Sequence, residues 1–170
     1  SDVPPGTVVD KARQSAGRAI EHGPDLAEAQ LAWAYQHFWL DWRWTAAAAG
    51  FRRATELDPN NAFAHLLLGH VLSQLDQQEE AQRMARRARE LDPLFPLTYA
   101  LSAQIAFQAR DVEARRELAR QAIAIDPQFW IGHMQLGQAL EQLDDFPAAL
   151  AALEQAAKYS GANSKPLALR

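Results

Sequence analysis

Cysteine is absent from all 170 residues. That removes disulfides, thiolate metal sites and cysteine nucleophiles from consideration. It fits a reducing or an oxidising compartment equally; the cytoplasm is the expected location, with the periplasm as the alternative. No apolar run approaches the roughly 18 residues that a membrane-crossing helix needs, and no signal-peptide pattern is visible, so no membrane insertion is expected. Positive charge is scarce. The formal net charge is -4, which argues against nucleic acid as a partner, because phosphate backbones call for a basic face. Lysine is scarcer still, 3 against 14 arginines, and with the abundant alanine this reads as the coding bias of a GC-rich bacterium. There is no HExxH, no glycine-rich phosphate loop and no Ser/His/Asp arrangement. The histidines are scattered, and His65 and His70 diverge around a helix, so they are not a ligand pair. Asp144-Asp145 reads as a helix cap rather than as paired acids. No catalysis, no metal and no cofactor are expected.

What the chain does have is a period. Hydrophobic residues make up 48%, enough for one domain with a real core. Leu57-Asp58-Pro59, Leu91-Asp92-Pro93 and Ile125-Asp126-Pro127 follow one another at intervals of 34 residues, and Tyr159-Ser160-Gly161 stands 34 further on. A fixed interval of that size marks a stacked helical array. Between these punctuation marks, apolar residues recur at helical spacing. His65, Leu68, Gly69 and Leu72 form one stripe, and Ala81, Ala85 and Ala88 form a second on a partner helix. Tyr99, Ser102, Ala103 and Ala106 repeat the first stripe, as do His133, Leu136, Gly137 and Leu140. The small residues Gly69, Ala103 and Gly137 let two helix backbones approach.

In chain order, residues 1–6 read as a flexible lead-in, and Thr7 as the cap of a helix that His22-Gly23-Pro24 stops. Helices are expected near 25–40, 45–57, 61–75, 79–91, 96–109, 111–125, 129–143 and 145–159, with another opened by Ser164-Lys165-Pro166. Pro24 to Pro59 is one residue longer than the period, and the extra residue is placed in the turn Asp41-Trp42-Arg43-Trp44. Two positions break the pattern. Arg115 stands where Ala81 and Ala149 predict a small residue, and Ser102 replaces Leu68 and Leu136, so looser packing is expected there.

The motif His-x2-Leu-Gly-x2-Leu, then Ala-x3-Ala/Leu-x2-Ala, then Asp-Pro, resembles the tetratricopeptide repeat. The resemblance implies an all-α solenoid, a right-handed superhelix of antiparallel helix pairs. It covers about four repeats (24–59, 60–93, 94–127 and 128–161), with partial repeats at 7–23 and 162–170, all in one domain from residue 7 to 170. The run Trp39-Leu40-Asp41-Trp42-Arg43-Trp44 with Phe51 to Pro59 is similar to tetratricopeptide regions of bacterial signalling proteins. There such repeats follow a winged-helix DNA-binding domain or an adenylyl cyclase domain.

In such arrays the first helix of each pair lines a concave groove, so its outward positions should recur every 34 residues. His70, Gln104 and Gln138 form one column, and Gln74, Gln108 and Gln142 another. Leu66, Ala100 and Met134 lie one turn back, and Phe63, Leu97 and Ile131 a further turn. Ser73, Phe107 and Glu141 flank the glutamines, while Tyr35, Phe38 and Trp39 continue the groove at its N-terminal end. Glutamine both donates and accepts, so this surface suits a peptide or protein segment. The expected contacts are Tyr35, Trp39, Phe63, Leu66, His70, Gln74, Ala100, Gln104, Phe107, Gln108, Met134, Gln138, Glu141 and Gln142. The columns hold no Lys or Arg, so a cationic clamp for carboxylates looks absent. Among the tryptophans, Trp33 and Trp44 are expected to pack between helices, Trp130 to cover the turn before it, and Trp39 or Trp42 to be available to a partner. Arg52 with Glu56 and Arg86 with Glu90 read as solvated pairs on the opposite face. Leu150, Leu153 and Ala157 form an end face that Leu167 and Leu169 only partly shield. Weak self-association through that end is expected.

Overall fold

The computed structural model describes residues 5–161, and among them every regular element is an α-helix. In order these are α1 (Pro5–His22), α2 (Ala27–Trp39), α3 (Trp44–Leu57), α4 (Ala62–Gln74), α5 (Gln78–Leu91), α6 (Pro96–Gln108), α7 (Val112–Ile125), α8 (Trp130–Gln142) and α9 (Phe146–Tyr159). α1 begins at Pro5, a residue suited to a first helical turn. Thr7 therefore lies inside the helix rather than capping it. The helix expected from Ser164, with Leu167 and Leu169, lies outside the described residues.

Polar side chains close three of the helix starts. Asn61 Oδ1 accepts from the Ala64 amide, Asp111 from Ala114 and Asp145 from Ala148. Each satisfies a backbone donor that the helix itself leaves open. The turns between pairs are tied by histidine: His65 Nε2 lies 3.0 Å from the Pro59 carbonyl, and His133 Nε2 lies 2.9 Å from that of Pro127. Each ring donates to the carbonyl that precedes its own helix, which is why histidine rather than leucine occupies that stripe position.

Within pairs, the chain reverses through a left-handed residue at Trp42 (φ 55°), Asp76 (61°), Arg110 (59°) and Asp144 (59°). Helices α3, α5, α7 and α9 start 34 residues apart, as do α4, α6 and α8, whereas α2 starts 35 before α4. The extra residue therefore sits between α2 and α3. Asp41 holds that longer turn, accepting from Arg13 Nη2 at 2.8 Å and Gln36 Nε2 at 2.9 Å, with His37 Nδ1 also at 2.9 Å. These bonds, the Gln36 amide first among them, outweigh burial and hold the Asp41 carboxyl below its ordinary range.

Each first helix packs on its own second helix and on the second helix of the preceding pair: α4 lies against α5 and α3, α6 against α7 and α5, α8 against α9 and α7. First helices also pack on each other, α4 on α6 and α6 on α8. That closer stacking puts them on the inside of the curve. One apolar cluster joins Phe38, Phe51, Leu67, Leu68, Val71, Leu72 and Ile105, and a second gathers Leu140 with Ala149 and Ala152.

Three expectations are corrected by this packing. Ser102 is not a simple loss of leucine. It is 2% exposed, its Oγ donates to the Thr98 carbonyl at 2.7 Å, and it accepts from Arg89 Nη1 at 2.6 Å. A crevice of about 150 Å³ does remain beside it, between α5, α6 and α7. Arg52 reaches Glu80 on the next second helix at 3.1 Å rather than Glu56, which pairs with Arg53, and Glu90 takes Arg87 instead of Arg86. Leu153 is buried beneath Gly137, so the open apolar side chains near the last pair are Leu150 and Phe146.

The small-residue positions are where backbones meet. A Cβ on Gly69 would stand 2.9 Å from the Ala81 carbonyl oxygen and 3.2 Å from the Ala85 nitrogen, neither of which can turn aside. Gly69→Val is expected to lower stability by about 2–4 kcal/mol through overpacking. Urea unfolding followed by far-ultraviolet circular dichroism measures it.

Candidate functional site: a concave groove with two compartments

The inner helices carry almost no charge. α4 and α6 contain no Asp, Glu, Lys or Arg, and α8 contains only Glu141. The charges lie on the second helices, so the groove wall is made of apolar and amide side chains.

Its first compartment is a cavity of about 440 Å³ formed where α2, α4, α6 and α8 face inward. Of the expected contacts, Tyr35, Trp39, Phe63, His70, Gln74, Gln104, Gln108 and Met134 line it. Tyr35 and Trp39 are 45% and 44% exposed, and Trp42 at the rim is 72% exposed. Trp33 is half-buried and meets the His37 ring edge-on at 4.1 Å, in keeping with a packing role. Trp44, though half-buried among the core residues, and Trp130, expected over a turn, both line the cavity as well.

His70 forms the floor. Phe38 meets it edge-on with ring centroids 5.3 Å apart, and Trp39 lies 5.9 Å away. Its Nδ1 has no hydrogen-bond partner among the described residues. Burial alone pulls its pKa from 6.5 down to about 4, because the charged ring has nothing to solvate it.

The second compartment is a crevice of about 270 Å³ lined by Gln104, Phe107, Arg115, Gln138, Glu141 and Gln142. It shares Gln104 with the first. Arg115 enters it from α7, although the inner columns themselves carry no Arg. It is 3% exposed, and its position is filled by Ala47, Ala81 and Ala149 in the other pairs. The guanidinium lies 4.5 Å over the Phe107 ring. Nε and Nη2 donate to Gln135 Oε1 at 3.1 and 2.8 Å, Nη1 donates to Gln142 Oε1 at 3.2 Å, and Nη2 also donates to Gln138 Oε1. Burial lowers its pKa to about 10, opposed by the field of Glu141, so it stays charged at neutral pH.

Two expected contacts are not in the groove. Leu66 and Ala100 are 0% exposed and line neither compartment. They lie where one first helix is covered by the next. Met134, third in that column, is half-buried and lines the first compartment. Conversely, the column Leu67, Leu101 and Gln135 lines the first compartment and escaped the sequence reading. The signal was present, since the three recur at 34, but Leu67 reads equally as core. Arg115 was legible only as an anomaly in a stripe of alanines.

Two profiles described as tetratricopeptide repeat match the sequence, over residues 51–83 and 132–163. The chain is a tetratricopeptide repeat protein. No protein of curated function matches it in sequence. Solved tetratricopeptide structures share its fold. MamA of Desulfovibrio magneticus RS-1 superposes with a TM-score of 0.72 at 18% identity, over 92% of this chain and 88% of that one. PilF of Pseudomonas aeruginosa gives 0.75 at 19%, over 95% and 73%. A chain of the APC/C hetero-tetramer Cut9-Hcn1 gives 0.84 at 17%, over 95% and 31%. Such identities establish a common tetratricopeptide solenoid and no common partner.

The state of His70 sets a pH dependence for this repeat array. The unfolded chain takes up a proton near pH 6.5, whereas the folded one resists until about pH 4. The contribution of His70 is therefore fully present above about pH 6.5 and is lost as pH falls toward 4, by up to roughly 3 kcal/mol. Urea midpoints at pH 7 and pH 5 should differ in that direction, and His70→Phe should shrink the difference.

Proposed function

We propose that this tetratricopeptide array is a non-catalytic scaffold that holds a peptide or protein segment in its concave groove. The observation that carries the proposal is the aromatic cavity. It is open to solvent, is built from four successive inner helices, and keeps Tyr35, Trp39 and Trp42 exposed at its mouth. Exposed aromatic rings around an apolar recess are the surface that dominates interface energetics. An apolar side chain of the ligand enters the recess, and the amides of Gln74, Gln104 and Gln108 at its wall meet the ligand backbone. No helix among the described residues is long and apolar enough to cross a membrane, and no group of three His, Cys, Asp or Glu among them is placed to hold a metal.

Trp42 sharpens the reading. Its φ of 55° is a conformation that a bulky residue adopts only at a cost, and the equivalent places hold Asp76, Arg110 and Asp144. A tryptophan that is both conformationally costly and 72% exposed serves something other than the fold. Trp42→Asn is expected to raise stability by roughly 1 kcal/mol, since Asn tolerates the left-handed region, while weakening ligand capture. Trp39→Ala is expected to weaken capture tenfold or more with little change in stability. Peptides selected against the native protein from a capped random library provide the ligand, and fluorescence anisotropy the measurement. Equal binding by Trp39→Ala and by Trp42→Asn, with helical spectra intact, would sink the proposal.

A further inference from the structure

From the second compartment we infer that the groove is specific for a segment carrying an acidic side chain, whose carboxylate docks on the amide array that Arg115 polarises. This assignment rests on the groove reading above and adds the ligand's charge and the residues that read it.

A guanidinium has hydrogens to give and no acceptor. Every amide that touches it must therefore turn its oxygen inward. Gln135, Gln138 and Gln142 all do so. The orientation then propagates: Gln135 Nε2 donates to Gln104 Oε1 at 2.9 Å, so Gln104 also has its oxygen engaged. The consequence is that Gln104, Gln138 and Gln142 are left with their Nε2 hydrogens for the groove. Free glutamine would offer donors and acceptors alike. In these three the oxygen is already engaged once while both Nε2 hydrogens are free, so donors predominate, backed by a positive charge.

Among the described residues no carboxylate forms an ion pair with that charge. Arg13, Arg52, Arg53, Arg87 and Arg116 each contact a carboxylate within 3.5 Å. Arg115 is more deeply buried than any of these, yet its hydrogen bonds run only to neutral amide oxygens. One Nη1 hydrogen remains unused. Glu141, the acid lining the same crevice, makes no ion pair with it, though its field reaches the guanidinium. A buried cation behind a layer of N–H donors favours an incoming anion. The crevice shares Gln104 with the aromatic cavity on one side, and Phe107 and Gln142 with a further hollow beside Arg110 and Val112 on the other. A chain passes along it in both directions, so the carboxylate comes from a side chain and not from a chain end.

Two peptide libraries with blocked termini, alike except for a fixed central Glu or Gln, test this. The native protein should enrich the Glu library at least tenfold over the Gln library. Arg115→Ala, which installs the residue found at 47, 81 and 149, should fold and take up the two libraries equally, losing the preference; Arg115→Met should behave alike. Glu141→Gln should widen the preference by removing a competing charge. Separately, sodium acetate should shift the Nε2 proton resonances of Gln138 and Gln142 in the native protein and not in Arg115→Ala. Equal uptake of both libraries by the native protein, or an unchanged preference in Arg115→Ala, would overturn the assignment and leave the groove reading standing. A neutral library with free C-termini that matched the Glu library would move the site to chain ends and overturn it as well. Failure of both libraries to bind would overturn the groove itself.

Discussion

Each inner helix is gripped between two outer ones, and the grip closes only where the crossing residue is as small as glycine or alanine. At Gly69 the clearance to the Ala81 carbonyl leaves no space for a methyl group. At Gly137 a Cβ would fall 2.7 Å from the Leu153 side chain, whose far end has some freedom to move. Ala34 and Ala103 stand at the corresponding crossings with their methyl groups fully buried, so alanine is accepted there. This close approach is repeated along the chain, and it is what makes the helices cooperate. Helices of 13 or 14 residues such as these are marginal alone. Their burial comes from their neighbours, and stability is distributed along the stack.

Stacking of this kind sorts residues by face. Outer helices meet water on their far side and carry the charges, among them Glu79, Glu80, Arg83, Arg86, Arg87, Arg89 and Glu90 on α5. Inner helices are covered on both flanks and expose one narrow strip to the hollow. That strip is apolar around Trp39, Phe63 and Leu101 and rich in amides around Gln138 and Gln142. The arrangement has a structural counterpart below the surface. The two apolar clusters, one from α2 to α6 and one between α8 and α9, do not merge. Polar groups are buried in the same region: Ser102, Arg115 and Gln135.

Most of the architecture was legible because a 34-residue interval survives every substitution that respects helix spacing. From α2 to α9, helix number, helix ends within two residues, and the extra residue before α3 all followed from counting between Pro24, Pro59, Pro93 and Pro127. The cap at Asp145 followed from side-chain chemistry. What periodicity does not carry is the side-chain reach of single residues. Leu66 and Leu67 are adjacent and chemically identical, yet one is sealed and the other lines the cavity. Arg52 stands four residues before Glu56, as a helical pair should, but Glu80 lies across a shorter gap on another helix. Such choices depend on the angle between neighbouring pairs, which no spacing rule supplies.

Arg115 shows the same limit from the other side. A stripe that places alanine at 47, 81 and 149 requires a small residue for packing, so arginine there reads as a local fault. The structure resolves the conflict by leading the side chain out of the seam, over Phe107, and into amides supplied by α8. Packing alone does not require it, since alanine meets the need in three other pairs. Neither does charge pairing, because no carboxylate bonds it. A desolvated guanidinium among neutral acceptors costs free energy that an apolar residue would not. Local rules broken without a compensating gain in the fold point to a role outside it. Here the broken rule also fixes which way four glutamine amides face, and so changes the groove from a neutral surface into a directional one.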